Sequence, residues 1–335
     1  MTDQTTPRLS EDDLIARYFR PLATDPGAFR LGDDCAVLTP PAGEELVLKT
    51  DAVAAGVHFF AEDPWDLVAK KALRVNLSDL AAKGARPLGY LLALGLPADW
   101  TEPQLAAFAA GLKADQGAYG LSLLGGDTIR SPDGLIVTIT VLGATPVGRM
   151  VRRGGARPGD LIYVSGTIGD AALGLKLRLD PGLKIRLGLG DREAAYLLDR
   201  YLLPRPRLAL APVLLAHANG AMDISDGLML DVSRMARISA VDAEFDVAKV
   251  PLSKAAHAAL QADPTLVETV LTGGDDYELL LTLSPEVAEA FERAAFATGL
   301  TVTQVGRISE GSGKVHARLT GGRDVAFTNA GFSHF

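Results

Sequence analysis

Short apolar segments in this chain repeatedly meet aspartate beside glycine, serine or threonine. Leu31-Gly-Asp-Asp-Cys-Ala-Val37 is the first case. Thr50-Asp51 closes the run that starts at Glu45, and Asp79 falls near the end of a long apolar-faced stretch. Gly125-Gly-Asp-Thr128 follows Leu121–Leu124. Asp223-Ile-Ser-Asp-Gly227 follows Ala221, and Gly273-Gly-Asp-Asp-Tyr-Glu278 precedes Leu279–Thr282. Charged strand ends belong at the edge of a sheet, and that edge is where sites are built. Such a chain folds into short strands and helices whose polar ends gather, not into one long hydrophobic layer.

The sequence between these marks supplies the elements. Ser10-Glu-Asp-Asp13 ahead of Leu14, Ile15, Tyr18 and Phe19 predicts a capped amphipathic helix. Gly32-Asp33-Asp34 reads as a turn at the mouth of a strand, with Cys35 as a small packing residue. A helix is expected from Trp65 to Ala82, with Leu67, Val68, Ala72, Val75 and Leu80 on its apolar face. Strands are expected at Tyr90–Leu96 and over the β-branched run Leu135–Leu142, with an Ala-rich helix at Glu102–Gly117 between them. Gly143–Gly159 is rich in Gly, Pro and Arg and lacks apolar periodicity, which puts a domain boundary near residue 150. Beyond it, strands at 160–165, 221–224, 243–247, 279–282, 301–308 and 314–319 alternate irregularly with helices, and 180–191 reads as a surface excursion. The fold class is α/β with an α+β character, in two domains, 1–150 and 151–335.

Bulk properties narrow the function. The 335 residues are 48% hydrophobic and 22% charged, with a net charge of −8, which argues against nucleic acid or an anionic membrane as partner. Cys35 is the single cysteine, so no Cys-based zinc site or internal disulfide is available. No apolar run reaches the ~20 residues of a membrane span. The first residues lack a basic region followed by an apolar core, so a cytoplasmic location is expected. The aspartates would repel one another unless divalent cations held them, and carboxylate clusters completed by phosphate oxygens bind Mg-nucleotide. No Gly-x4-Gly-Lys-Ser/Thr loop and no Gly-x-Gly-x-x-Gly turn is present. Cationic help for phosphate would have to come from Lys70, Lys71, Arg74, Lys83, Arg130, Arg152 or Arg153.

In order, these motifs resemble the thiamine-monophosphate kinase family of the aminoimidazole ribonucleotide synthetase superfamily. The resemblance rests on Gly32–Ala36, Thr50-Asp51 with Gly56-Val-His-Phe59, Val75–Ala82, Gly125–Thr128, Gly154–Asp160, Asp223–Leu228, Gly273–Leu279 and the terminal His-Phe. It implies a two-domain aminoimidazole ribonucleotide synthetase-like fold. Its N-terminal sheet would pair across a homodimer, with a mixed α/β C-terminal domain completing the active site. It also implies direct transfer of the ATP γ-phosphoryl group to thiamine monophosphate, with several Mg²⁺ ions. By motif match, Asp34, Thr50, Asp51, Asp79, Asp127, Asp223 and Asp226 are the implied Mg²⁺ ligands, with Asp34, Asp127 and Asp226 the catalytic set. Tyr119, Gly126, Asp127, Arg153 and Ser225 are implied ATP contacts. His58, Asp275 and the neighbourhood of Asn329 are implied substrate contacts, with Phe327 or Phe332 serving where the family often has an aromatic. The family often has Glu where this chain has Asp275. The competing expectations are a sister synthetase of the superfamily, or a Mg-nucleotide sensor without catalysis. A selenophosphate synthetase would need a reactive Cys with a nearby Lys, and residues 1–30 hold neither.

Overall fold

The structure is a computed structural model and describes residues 9–318. The chain divides into two compact units. One comprises the chain up to Asn76 together with Pro87–Ala144, and the other comprises Leu77–Arg86 and the chain from Thr145 onward.

The first unit is built on a four-stranded sheet of β1 (Glu44–Ala54), β2 (Arg86–Leu96), β3 (Ser122–Arg130) and β4 (Ile136–Pro146), in the order β1-β4-β2-β3. β2 and β3 are parallel, so the chain must cross over between them. It does so through the Glu102–Tyr119 helix. Thr101 starts that helix with a full capping box to Gln104, and Gly120 ends it in the left-handed conformation. Val137, Ile139 and Val141 are fully buried at alternate positions of β4, as the period-2 side-chain pattern requires. Trp65 meets Phe108 edge-on at 6.4 Å, joining the start of the Trp65–Ala82 helix to the Glu102–Tyr119 helix.

The second unit is a six-stranded mixed sheet of β5 (Leu161–Ser165), β6 (Gly220–Ile224), β7 (Val241–Asp246), β8 (Glu278–Leu283), β9 (Val302–Glu310) and β10 (Val315–Arg318). Its order is β10-β7-β9-β5-β8-β6. Only β10 and β7 run parallel among its pairs. Helices cover both faces, which explains why β6 and β8 are buried along their whole length. Ile162, Val164 and Met222 face one core, while Tyr163, Ala221 and Leu281 face the other.

Four local expectations are corrected. Leu31–Leu38 is not a strand. Phe29, Arg30 and Leu31 have positive φ, and the Val37 N–H donates to the Gly27 carbonyl (2.9 Å) instead of to a ladder. The apolar Leu31, Ala36 and Leu38 there pack on Ala23, Ala28 and Leu124. Cys35 is exposed, because no sheet face receives it. The Ser10 helix is α only from Glu11 to Leu14, then π to Phe19 and 3₁₀ to Leu22; Asp13 takes the Ser10 hydroxyl (2.6 Å). The 180–191 stretch is more than a surface excursion, since Leu187 and Leu189 within it are buried in the second unit's core.

Candidate active site

In the first unit, the acidic loop and the Gly-Gly-Asp stretch meet at one cavity of about 660 Å³. Asp33, Asp34 and Cys35 line it from the loop, and Gly125, Gly126, Asp127 and Thr128 line it from β3. Leu92, Leu123, Leu124 and Leu142 give it an apolar lining. The Gly-Gly-Asp stretch is not the loop after a strand. β3 continues straight through it, in register with β2, after an irregularity at Tyr90/Leu91. Gly126 lies opposite Leu92 in that ladder, and a Cβ there would fall on the Leu92 carbonyl oxygen. Glycine lets the two backbones approach and leaves the backbone of Gly126 open to a ligand. Asp127 follows, exposed, with one carboxylate oxygen accepting the Thr128 N–H (2.9 Å).

Thr50 and Asp51 sit in β1. The Thr50 hydroxyl donates to the Ile139 carbonyl (3.2 Å) and accepts from Thr140 (2.9 Å), and Asp51 pairs with Lys49 at 3.1 Å. His58 lies in the turn after β1. Its Nδ1 accepts the Ala54 N–H (3.2 Å), so in the neutral ring the proton is on Nε2, which is a donor. Buried Phe59 fixes that turn. The Arg74 guanidinium stands 5.8 Å from the Tyr119 ring centroid, and it grips Asp115 through two bonds of 2.7 and 2.8 Å. Arg74, one of the cations considered for phosphate, is thus held by Asp115.

In the second unit, Asp223 is buried at the end of β6, and Ser225-Asp226-Gly227 turns the chain into the Leu228–Ser239 helix. Asp231, one turn into that helix, accepts the N–H groups of both Ser225 and Asp226 (3.1 Å each). Burial pushes its carboxyl up to about 6. Arg234 bonds both Asp226 and Asp231. The Gly273–Tyr277 loop is tied against the same turn, through Asp275 N–H to the Ser225 carbonyl (2.8 Å) and Tyr277 N–H to the Ile224 carbonyl (2.9 Å). Ser225, Asp226 and Asp275 are thus neighbours on two loops of one unit. Asp79 belongs to this unit and is half-buried in the Trp65–Ala82 helix. Arg153 is exposed in a 3₁₀ turn. Lys83, another cation considered for phosphate, donates to the Ala221 carbonyl (2.8 Å). Asn329, Phe327 and Phe332 lie outside the described residues.

The implied ligand set is all oxygen, the donor chemistry of a hard cation such as Mg²⁺. Among the described residues, no three His, Cys, Asp or Glu side chains are gathered as a ready metal centre. Asp34 and Asp127 share the cavity of the first unit, while in the second Asp223 lies at the end of β6 and Asp226 in the turn that follows it.

Sequence reasoning missed the charges under this second cluster. Arg200 and Glu278 are buried together, with half-buried Arg207 pairing to the same carboxylate and Ser165 donating to it (2.6 Å). Asp276 is fully buried and accepts N–H groups from Gly169 (2.6 Å) and Ala171 (3.2 Å), at the start of the Asp170–Leu179 helix. The available signal was two acids, Asp276 and Glu278, flanking Tyr277 at the start of a strand that is buried along its whole length. Their partners are up to 113 residues away.

The AIR synthase related protein N-terminal domain matches residues 32–145, and the C-terminal domain of the same description matches residues 157–318. The thiamine-monophosphate kinase of Caulobacter vibrioides is 44% identical over 329 residues, spanning 97% of this chain and 91% of that protein. The crystal structure of thiamine-monophosphate kinase from Stenotrophomonas maltophilia K279a is 39% identical, with a TM-score of 0.79 over 88% of this chain and 91% of that one. AaThiL complexed with AMPPCP and TMP is 33% identical, with a TM-score of 0.76 over 91% of each chain. With both domains matched and relatives alike over nearly the whole length, the chain belongs to the thiamine-monophosphate kinase family of AIR synthase related proteins.

Proposed function

We propose that this protein phosphorylates thiamine monophosphate to thiamine diphosphate with ATP as donor. The observation that carries the reading is the 44% identity, over nearly the full length, to a thiamine-monophosphate kinase. The relative complexed with AMPPCP and TMP supports an adenine nucleotide bound together with a second ligand.

The residues suit this chemistry. An acceptor phosphate is already a competent nucleophile, so the protein has to position two phosphates and neutralise charge rather than supply a strong base. Gly126 offers backbone to the nucleotide, and Asp127, Arg153, Ser225 and Tyr119 are the other proposed ATP contacts. His58, with its Nε2–H, and Asp275 are the proposed contacts to thiamine monophosphate. Asp34, Thr50, Asp51, Asp79, Asp127, Asp223 and Asp226 would hold Mg²⁺, which when bound offsets the charge of the phosphates. Transfer is in line, without a phosphoenzyme; retention of configuration at phosphorus would refute that step.

The homodimer belongs to the same proposal. Leu48, Leu91, Ile129 and Ile136, one from each strand of the first sheet, are all at least 39% exposed, which supports pairing of this sheet with a second copy. Sedimentation at the monomer mass would remove it.

The deciding experiment is ADP release with and without thiamine monophosphate. Release that depends on thiamine monophosphate is expected. Release that ignores it and responds to another phosphorylated compound would move the protein to a sister function.

A further inference from the structure

The Gly273–Tyr277 loop has an unusual backbone. Asp275 (φ 72°) and Tyr277 (φ 51°) are both left-handed, and neither is glycine. Each such residue costs on the order of 1 kcal/mol and persists only where its surroundings over-determine it. The surroundings here are specific. Besides the two backbone bonds to Ser225 and Ile224, the loop is held through Asp276, which lies between the two left-handed residues. Its carboxylate caps the Asp170–Leu179 helix through Gly169 and Ala171, and its carbonyl accepts from Arg200 at 3.0 Å. The side chains consequently diverge: Asp276 is fully buried, while Asp275 remains half-buried.

Arg200 is buried in the Asp191–Leu202 helix and also bonds Glu278 at 3.0 Å. Arg207 grips the same carboxylate with Nε at 2.7 Å and with its terminal nitrogen, so Glu278 would keep a cationic partner without Arg200. The bond that distinguishes Arg200 is the one to the Asp276 carbonyl, inside the loop.

We propose that Arg200 and Asp276 are positioning residues that hold Asp275 in its left-handed pose, and so set the affinity for thiamine monophosphate. This rests on the reading of Asp275 as a contact to thiamine monophosphate. The test is steady-state kinetics of purified wild type, Asp275→Ala, Arg200→Lys, Asp276→Asn and the Arg200→Lys/Asp275→Ala double variant. Arg200→Lys is expected to raise KM for thiamine monophosphate about fivefold while the ATP KM moves less than about twofold. On the Asp275→Ala background it should add nothing, because the group it positions is gone. Equal effects on both substrates, or full additivity with Asp275→Ala, would overturn the proposal. Asp276→Asn reports the same split if Arg200→Lys does not give folded protein. An unchanged thiamine-monophosphate KM in Asp275→Ala would instead remove the substrate-contact reading, and this proposal with it.

Discussion

The chain contains the tripeptide Gly-Gly-Asp twice, and the two copies fold differently. At 125–127 it is extended within β3, with Asp127 exposed at a cavity. At 273–275 it leaves a helix and enters a left-handed loop, with Asp275 at φ 72°. The middle glycine has one job in both. A Cβ on Gly126 would strike the Leu92 carbonyl, and a Cβ on Gly274 would strike the Ser225 carbonyl. What differs is the aspartate. In the first copy the ladder sets its direction, and in the second a buried scaffold of side chains sets it.

The largest expected effect bears on the first copy. Asp127→Asn should cut turnover roughly tenfold or more at saturating ATP, by weakening an oxygen ligand at the phosphates. Wild-type turnover would separate this tripeptide from the chemistry. Next come the shared glycines. Gly126→Ala and Gly274→Ala should each lose about 1–3 kcal/mol in urea denaturation, since the obstacle in both is backbone that cannot swing aside. A tolerated Gly274→Ala would break the parallel between the copies.

A smaller effect separates the aspartates. Asp127→Gly adds chain entropy in extended backbone and should lose about 0.5–1 kcal/mol of stability. Asp275→Gly carries the same entropy cost but relieves a left-handed residue worth about 1 kcal/mol, so its stability should stay near wild type. Equal losses would mean that Asp275 is not strained.

A separate effect is a slope of stability with pH. Burial pushes the Asp276 carboxyl up to about 8, with the Gly169 N–H pulling it down and the Asp170 charge adding to the rise. A carboxyl raised in the native state binds more protons there than when unfolded. Its share of stability is therefore fully present at low pH and is lost as pH rises through about 4 to 8. Asp276→Asn should flatten that part of the melting temperature against pH.

Much of the fold was legible. The Trp65–Ala82 helix, the Leu135–Leu142 core of β4 and the alternating elements of the second unit follow from apolar spacing, and tertiary contacts did not oppose it. The Leu31–Leu38 stretch was not legible. Its apolar residues look like a strand but satisfy their packing from a loop, where three consecutive left-handed residues place the chain. Arg74 shows the same limit for charge. A cation on a helix is open to any anion in sequence, and only the fold brings Asp115 to it from 41 residues away.

The sequence by itself determined the chemical set of this protein: oxygen donors beside glycine, an excess of acids over bases, and an ordered series of motifs belonging to one family. Those are properties of residue type and spacing. Tertiary structure alone decided which of those groups share a place. Asp34 and Asp127 line one cavity because a loop packs on β3, and Asp275 meets Ser225 because two backbone segments share hydrogen bonds. It also decided that Asp276 and Arg200, which are ordinary surface charges in sequence, lie buried under the loop. A charge is stable there only when its partners arrive from distant segments, and no local pattern encodes that arrival.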